Sequence, residues 1–210
     1  MSGFFQNTNK PEGLGGKIMV TSMNIGHTPV ATWGLTHITP SKADSVLEIG
    51  CGGGANITRL LALCPEGHVT GVDYSPVSVE ASRKNNAAAI SKGKCTVVQA
   101  NVSALPFEPE QFDLVTAFET VYFWPDIENA FRQVLRVLKP GGNFFICNEA
   151  DGLNPANEKW TSKIEGITIY NAEQLSTLLK SAGFTDIQTD GDAKRHWLCV
   201  KAKKRESKNV

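Results

Sequence analysis

The sequence predicts an α/β fold: a doubly wound, mostly parallel seven-stranded sheet with an antiparallel hairpin at its C-terminal edge. Three observations predict it. Short apolar runs alternate with segments of helical spacing from residue 46 to residue 148, which is typical of a parallel sheet covered by helices on both faces. A glycine cluster follows the first apolar run, and a short polar turn at Asp190-Gly-Asp192 joins the last two strand-like runs. With 210 residues, 41% of them apolar, the chain is large enough for one well-buried domain and small for two.

The predicted elements follow one another in a regular order. The strands are expected at residues 46–49, 69–72, 95–99, 112–118, 143–148, 184–189 and 195–202, and the helices at residues 55–63, 76–90, 126–138 and 172–181. Ser75 and Pro76 suit the cap and first position of the second of these helices, and Gly183 suits the end of the last. His196 falls inside the final predicted strand, so we expect it to be structural.

The N-terminal part of the chain has a different character. Residues 1–20 are polar and rich in glycine, and we expect them to be mobile. A helix is predicted from Pro29, capped by Thr28 and ended by Pro40. We therefore expect residues 1–40 to be a flexible segment with a lid helix and residues 41–205 to be the main domain, within which the irregular, polar residues 149–170 form a substrate-side insertion.

The glycine cluster predicts a site for a nucleoside-containing cofactor. Residues 46–54 read Val-Leu-Glu-Ile-Gly-Cys-Gly-Gly-Gly, an apolar strand that turns sharply and leads into a helix. Glycines let a ligand lie against the backbone there, and the helix N-terminus favours an anionic group. Asp73, at the end of the next strand, can accept hydrogen bonds from ribose hydroxyls. Since Gly50, Gly52 and Ala55 also fit the dinucleotide fingerprint, the loop alone leaves NAD open as the ligand.

Several motifs together resemble class I S-adenosylmethionine-dependent methyltransferases, especially those that act on small molecules. The residues that carry the resemblance are residues 46–54, Val69-Thr-Gly-Val-Asp-Tyr-Ser75, Gln99-Ala-Asn-Val102 with Leu105-Pro-Phe107, Phe112-Asp-Leu-Val115 and Leu135-Arg-Val-Leu-Lys-Pro-Gly-Gly142. The resemblance implies a Rossmann-like methyltransferase fold and S-adenosylmethionine as cofactor, with S-adenosylhomocysteine as product. It also implies that the cofactor-binding residues are Glu48, Gly50, Cys51, Gly52, Asp73, Tyr74, Asn101, Val102 and Phe118. Among these, Asp73 would bind ribose, Glu48 would lie near the amino-acid part, and Asn101 would meet the adenine amine where many members have Asp.

Methyl transfer from a sulfonium is an in-line displacement that depends mainly on alignment and on the exclusion of water. Around the expected methyl position, the candidate catalytic residues are His27, Glu119 and Tyr122, and the candidate substrate-pocket residues are Trp33, Tyr122, Trp124 and Trp160. A neutral imidazole could take a proton near pH 7, although His27 could instead cap the lid helix or face solvent. Glu119 could act as a base, hold the methionine amine or be a solvated loop carboxylate. The aromatic residues could equally serve in packing, and no metal site is expected.

Composition narrows the function further. Lys plus Arg equals Asp plus Glu at 21 each, so the chain lacks the broad basic field typical of binding to nucleic acid or anionic membranes. The five cysteines are scattered without a C-x-x-C pair, and no apolar stretch is long enough for a membrane span, so a cytoplasmic location is expected. The predicted function is methyl transfer from S-adenosylmethionine to a small molecule. The alternatives are an RNA or protein methyltransferase, or a noncatalytic cofactor-binding partner; the sequence does not indicate the oligomeric state.

Overall fold

A computed structural model describes residues 26–155, 162, 164 and 166–207. Seven strands form a single sheet with the order β3-β2-β1-β4-β5-β7-β6. The strands are β1 (Ser45–Ile49), β2 (His68–Asp73), β3 (Cys95–Gln99), β4 (Phe112–Phe118), β5 (Leu138–Asn148), β6 (Thr185–Asp192) and β7 (Trp197–Lys203). The first five run parallel, whereas β7 is antiparallel to both β5 and β6. The predicted fold class is confirmed.

Helices cover both faces of the sheet. In the described residues they are α1 (Thr28–Leu35), α2 (Ala55–Leu63), α3 (Pro76–Asn85), α4 (Ala87–Ser91), α5 (Ile127–Val137) and α6 (Ala172–Ala182). Apolar side chains of α1, α2 and α3 pack on one face, and those of α5 and α6 pack on the other. Because both faces are covered, the central strands are apolar along nearly their whole length. None of the helices in this part of the chain is both long and apolar enough to cross a membrane.

Helix α1 packs directly on β5. Its Gly34 lies so close to Cys147 that a β-carbon at position 34 would come within 2.5 Å of the sulfur. The predicted capping residue is wrong by one position, since His27 is the N-cap and makes no side-chain capping bond. Thr28 is instead the first helical residue, and its hydroxyl accepts a hydrogen bond from Arg59 at 3.0 Å. The helix ends at Leu35, well before Pro40.

The helix predicted at residues 76–90 is interrupted at Asn86. This residue ends α3 and begins α4, and its side chain is buried. Its amide nitrogen donates to the carbonyl oxygens of Gly54 and Ser82, each at 3.0 Å. A buried asparagine that bonds to the backbone competes with the regular helix, which accounts for the break.

The turn between β6 and β7 lies at residues 193–196 rather than at Asp190-Gly-Asp192, which belongs to β6. His196 is therefore in the turn and not in the strand, and its φ is +59°. Its Nδ1 lies 2.9 Å from Oδ2 of Asp151, so it links the hairpin to the segment after β5. The prediction failed because a polar stretch with glycine suits either an edge strand or a turn, and strand pairing decided between them.

Candidate active site

A cavity of about 450 Å³ opens at the carboxyl ends of the parallel strands. This is the edge of an open α/β sheet at which ligands bind. The chain segments after β1, β2, β3 and β4 supply most of its wall. The lining residues are His27, Ala31, Ile49, Gly50, Gly52, Gly53, Asn56, Val72, Asp73, Tyr74, Ser78, Ala100, Asn101, Val102, Phe118, Glu119, Thr120, Phe123, Trp124, Pro125 and Gly166.

The glycine loop after β1 needs its glycines for shape. Gly50 has φ +75°, and a β-carbon there would overlap the side chain of Thr120. The amides of Gly50 and Cys51 both donate to the carbonyl oxygen of Val72, at 2.8 and 2.9 Å, which fixes the loop to the end of β2. Gly54, also at positive φ, is the N-cap of α2. The loop therefore exposes backbone to the cavity where side chains would block it.

Asp73 lies at the end of β2 with its carboxylate held by the backbone. Oδ2 accepts from the amide of Gly52 and Oδ1 from the amide of Ser75, both at 2.9 Å. Burial raises the pKa of Asp73, and hydrogen bonds from backbone amides oppose that rise. The backbone amide of Tyr74 also bonds to this carboxylate, so three of its roughly four lone-pair sites are used and one remains for a ligand in the cavity.

Glu48 is almost fully buried and does not itself line the cavity. It accepts a hydrogen bond from Thr116 and another from Asn56, and Asn56 does line the cavity. Burial raises the pKa of Glu48 to about 8. Glu48 therefore meets the cavity through Asn56, which stands in the first turn of α2 and was not predicted.

The other predicted cofactor-binding residues fall into two groups. Tyr74, Asn101, Val102 and Phe118 line the cavity, whereas Cys51 is buried with its thiol 3.7 Å from the hydroxyl of Ser82 and is not part of the wall. The Asn101 side-chain oxygen accepts the amide of Ser103 at 2.9 Å, which leaves one lone pair on that oxygen.

Glu119 and His27 come together at the end of the cavity formed by β4 and α1. Glu119 has φ +57° and is buried, and it accepts hydrogen bonds from the Tyr122 hydroxyl at 2.7 Å and from the Glu149 amide at 2.5 Å. Burial and the charge of Glu149 raise the pKa of Glu119 well above its usual range. His27 Nε2 lies 3.7 Å from Glu149 Oε1, and burial lowers the pKa of His27 against the opposing effect of that carboxylate.

The predicted aromatic residues occupy different places. Trp124 lines the cavity, and its indole nitrogen donates to Thr120 at 3.2 Å. Tyr122 does not line the cavity: its hydroxyl is bound to Glu119, and burial raises its pKa well above the usual range. Trp33 is also away from the wall, packed on His37 and Trp197. Trp160 lies outside the described residues.

These two placements have a physical reason. The short 3₁₀ turn at Val121–Phe123 rotates Tyr122 away from the cavity and brings the neighbouring Phe123 into its wall. Trp33 points from α1 toward β7, whereas Ala31 and His27 face the cavity.

A family model described as a methyltransferase domain matches residues 47–146, the segment that carries the loop, Asp73 and β4. Residues 47–146 form a class I S-adenosylmethionine-dependent methyltransferase domain. The choice between the two cofactors is thereby resolved in favour of S-adenosylmethionine.

Two curated relatives and one solved structure show the range of similar methyltransferases. An O-methyltransferase from Pyrenophora dematioidea is 28% identical over 158 residues, which cover 71% of this chain and 57% of the relative. A botryococcene C-methyltransferase from Botryococcus braunii is 29% identical over 169 residues, covering 74% and 44%. This chain thus spans about half the length of these relatives. A structure of a putative methyltransferase from Haloferax volcanii, in complex with the methyltransferase activator Trm112, superimposes with a TM-score of 0.81 at 19% identity and covers 89% of this chain and 94% of that one.

The residues of this methyltransferase fit its cofactor. At Gly52 a β-carbon would meet nothing within 4 Å, so the loop leaves open space above the backbone. Asp73 and Asn101 present acceptors at the ends of neighbouring strands β2 and β3, as the ribose hydroxyls and the adenine amine require. Asn56, Ser78 and Thr120 also line the cavity and were not predicted, since their only signal in the sequence is a position just after a strand or within the first turn of a helix.

The structure also brings together three groups that the sequence did not connect. His27, Glu119 and Glu149 each place one ligand atom within 4.8 Å of the others, an arrangement that could hold a metal ion. They come from the start of α1, the end of β4 and the end of β5. No sequence pattern links them, because each belongs to a separate segment of the chain.

Proposed function

We propose that this methyltransferase transfers the methyl group of S-adenosylmethionine to a small-molecule acceptor by in-line displacement. One observation carries the proposal: a single cavity contains both the fixed carboxylate of Asp73 and, further along the sheet edge, Glu119 and His27. The first suits the nucleoside of the cofactor, and the second offers polar groups beyond it.

When bound, S-adenosylmethionine supplies an electrophilic methyl group on a positively charged sulfur. The chain's own residues bind, orient and exclude water. Asp73 would accept a hydrogen bond from the ribose, and Asn101 would accept one from the adenine amine. The rings of Phe118, Phe123 and Trp124 would cover the reacting end and keep water from it.

We expect α1 and the described residues of the segment 149–170 to close the acceptor side of the cavity. Two contacts support this role. His27 at the start of α1 lies beside Glu149, and Gly166 contributes to the cavity wall. A cavity of about 450 Å³ suits a cofactor and a small partner better than a polymer. The names of the curated relatives include both O- and C-methyltransferases, so they do not decide the attacking atom.

The experiment is a calorimetric titration of the chain with S-adenosylhomocysteine and with NAD, followed by an assay for S-adenosylhomocysteine release with a library of small acceptors. We expect saturable binding of S-adenosylhomocysteine, little binding of NAD, and turnover with at least one small molecule. Binding of NAD alone would refute the cofactor assignment. Turnover only with RNA or protein acceptors would refute the acceptor class, and affinity for RNA should then fall steeply with salt.

A further inference from the structure

Of the cluster of His27, Glu119 and Glu149, the first two line the cavity, and Glu149 stands just behind them with its Oε1 3.7 Å from His27 Nε2. In the sheet order, the end of β5 is three strands away from the end of β2, by way of β1 and β4. With neighbouring strands about 4.8 Å apart, this separates the two strand ends by about 14 Å. If Asp73 holds the ribose, the cofactor's amino-acid part extends toward β1 and β4, and Glu149 at the end of β5 lies beyond it.

The cluster contains two carboxyl groups and no permanent cation. Only 6% of the Glu119 surface is exposed, whereas half of the Glu149 side chain is exposed. Among the described residues that line the cavity, none is Lys or Arg, and His27 is the only basic side chain. Since burial favours the neutral form of His27, the two carboxyl groups face each other without a permanent cation between them.

We propose that His27, Glu119 and Glu149 form a cation-binding end of the acceptor pocket, and that the acceptor is an amine that arrives as its ammonium ion. The proposal rests on the proposed function and specifies its substrate class. An ammonium group would pair with the Glu149 carboxylate and would favour the ionised form of the Glu119 carboxyl group, and its N–H groups are donors suited to carboxylate oxygens. A carboxylate or phosphate on the acceptor would instead meet Glu149 with like charge, at a cost.

The same cluster can prepare the nucleophile. An ammonium ion has no lone pair, so it must lose one proton before attack, and neutral His27 can accept that proton at Nε2. The amine nitrogen then forms a bond to the methyl carbon while the carbon–sulfur bond breaks, and its electron pair stays on sulfur as the neutral thioether. The product is a methylated ammonium ion, which keeps its remaining protons and its positive charge beside Glu119 and Glu149.

Matched acceptors test the charge requirement directly. S-adenosylhomocysteine release is measured with two series of equal size and different charge: benzylamine, benzyl alcohol and benzoate, and hexylamine, hexanol and hexanoate. We expect turnover with the amine of at least one series and at least tenfold less with its alcohol and carboxylate. Turnover with alcohols or carboxylates but not amines would overturn the proposal and leave the proposed function intact. Failure to bind S-adenosylhomocysteine would instead contradict the proposed function itself.

A substitution at Glu149 tests the cluster. Glu149→Gln keeps the size of a half-exposed side chain and should fold, and we expect it to raise the KM for the amine at least tenfold while changing S-adenosylhomocysteine affinity less than threefold. Glu66→Gln, on an exposed turn before β2 at the opposite end of the strands, is the matched control and should change neither. An unchanged KM for the amine in Glu149→Gln would overturn the proposal.

Two further outcomes would reassign the cluster. If Glu149→Gln weakens S-adenosylhomocysteine but not 5′-methylthioadenosine, which lacks the amino-acid part, the cluster holds the cofactor's own ammonium group. If EDTA abolishes turnover and Mn²⁺ or Mg²⁺ restores it, the three groups are metal ligands. Either result would overturn the amine proposal, whereas EDTA-resistant turnover with amines supports it.

Discussion

Replacing Asp73 with Asn tests whether this carboxylate holds the ribose of the cofactor. The substitution keeps the size of the side chain, but it replaces one oxygen with an amide nitrogen. Both oxygens already accept a backbone amide, from Gly52 and from Ser75 at 2.9 Å. In Asp73→Asn, one of these amides would therefore face another donor, and the remaining oxygen would carry no negative charge.

The expected magnitude follows from the bonds that change. Loss of a hydrogen bond to a charged group costs about 1.5–3 kcal/mol. This corresponds to a dissociation constant that is about 10- to 150-fold higher, since about 1.4 kcal/mol is a factor of ten. Calorimetry with S-adenosylhomocysteine measures this dissociation constant. The binding of 5′-methylthioadenosine, which retains the ribose, should weaken by a similar factor. Glu108→Gln, an exposed substitution outside the cavity, is the control.

The pH dependence gives an independent reading of the same residue. Burial raises the pKa of Asp73, so the wild-type carboxylate gains a proton sooner than an ordinary Asp as the pH falls, and it then loses a ligand acceptor. As the pH is lowered, wild-type affinity should begin to fall at a higher pH than the pKa of an ordinary Asp would cause, and the affinity of Asp73→Asn should change less. The ribose assignment would be refuted if Asp73→Asn lost less than threefold in affinity for both ligands. It would also be refuted if the affinities of the wild type and Asp73→Asn depended on pH in the same way.

Three further predictions concern stability and reactivity. The folded-state pKa of Glu48 is about 8, whereas its usual value is 4.5. Its favourable contribution to the free energy of unfolding is therefore present below about pH 4.5 and is lost as the pH rises through 8. The unfolding temperature of the wild type should fall between pH 5 and pH 8, by about 2–4 °C for each kcal/mol lost, and Glu48→Gln should make that fall smaller. Gly50→Ala should lose more stability in urea than Gly93→Ala, since both add about 1–2 kcal/mol of strain at positive φ and only the former overlaps a side chain. The thiols of the native protein should not react with a disulfide reagent at pH 8, because all five are buried and the pKa values of Cys64 and Cys95 are raised to about 11.

Each of these has a result that would contradict it. An unchanged pH profile in Glu48→Gln would mean that the buried carboxyl ionises normally. Equal losses of stability at the two glycines would show that the loop yields at Gly50 without cost. Rapid reaction of any thiol before denaturation would show that the described burial of the cysteines does not hold in solution.

The sequence predicts the central sheet well because its strands are buried on both faces. A strand such as Val69–Val72 can be read from composition alone, since every side chain is apolar or small and a turn or cap follows it. The family motifs follow the same strands, so Asp73, Asn101 and Phe118 were predicted at the cavity where the structure places them.

What the sequence could not predict depends on contacts between distant segments. The break at Asn86 arises from a hydrogen bond to Gly54, 32 residues away, and helical spacing carries no information about it. Tyr122 and Trp33 were predicted at the pocket because they are aromatic and near it in sequence, but a tight turn and the packing of α1 direct them elsewhere. The meeting of His27 with Glu149 likewise requires that α1 be docked on β5.

The position of β7 between β5 and β6 affects how the molecule is completed during synthesis. Six strands precede Trp197–Lys203 in the chain, yet this seventh strand provides the hydrogen-bonding partner for β5 on one side and for β6 on the other. Until it has left the ribosome, β5 presents an open edge and β6 has no neighbour in the sheet. Nascent chains that stall within the preceding turn would therefore carry an exposed edge that favours pairing with other chains. Chaperone dependence should be greatest while β7 is still being synthesised.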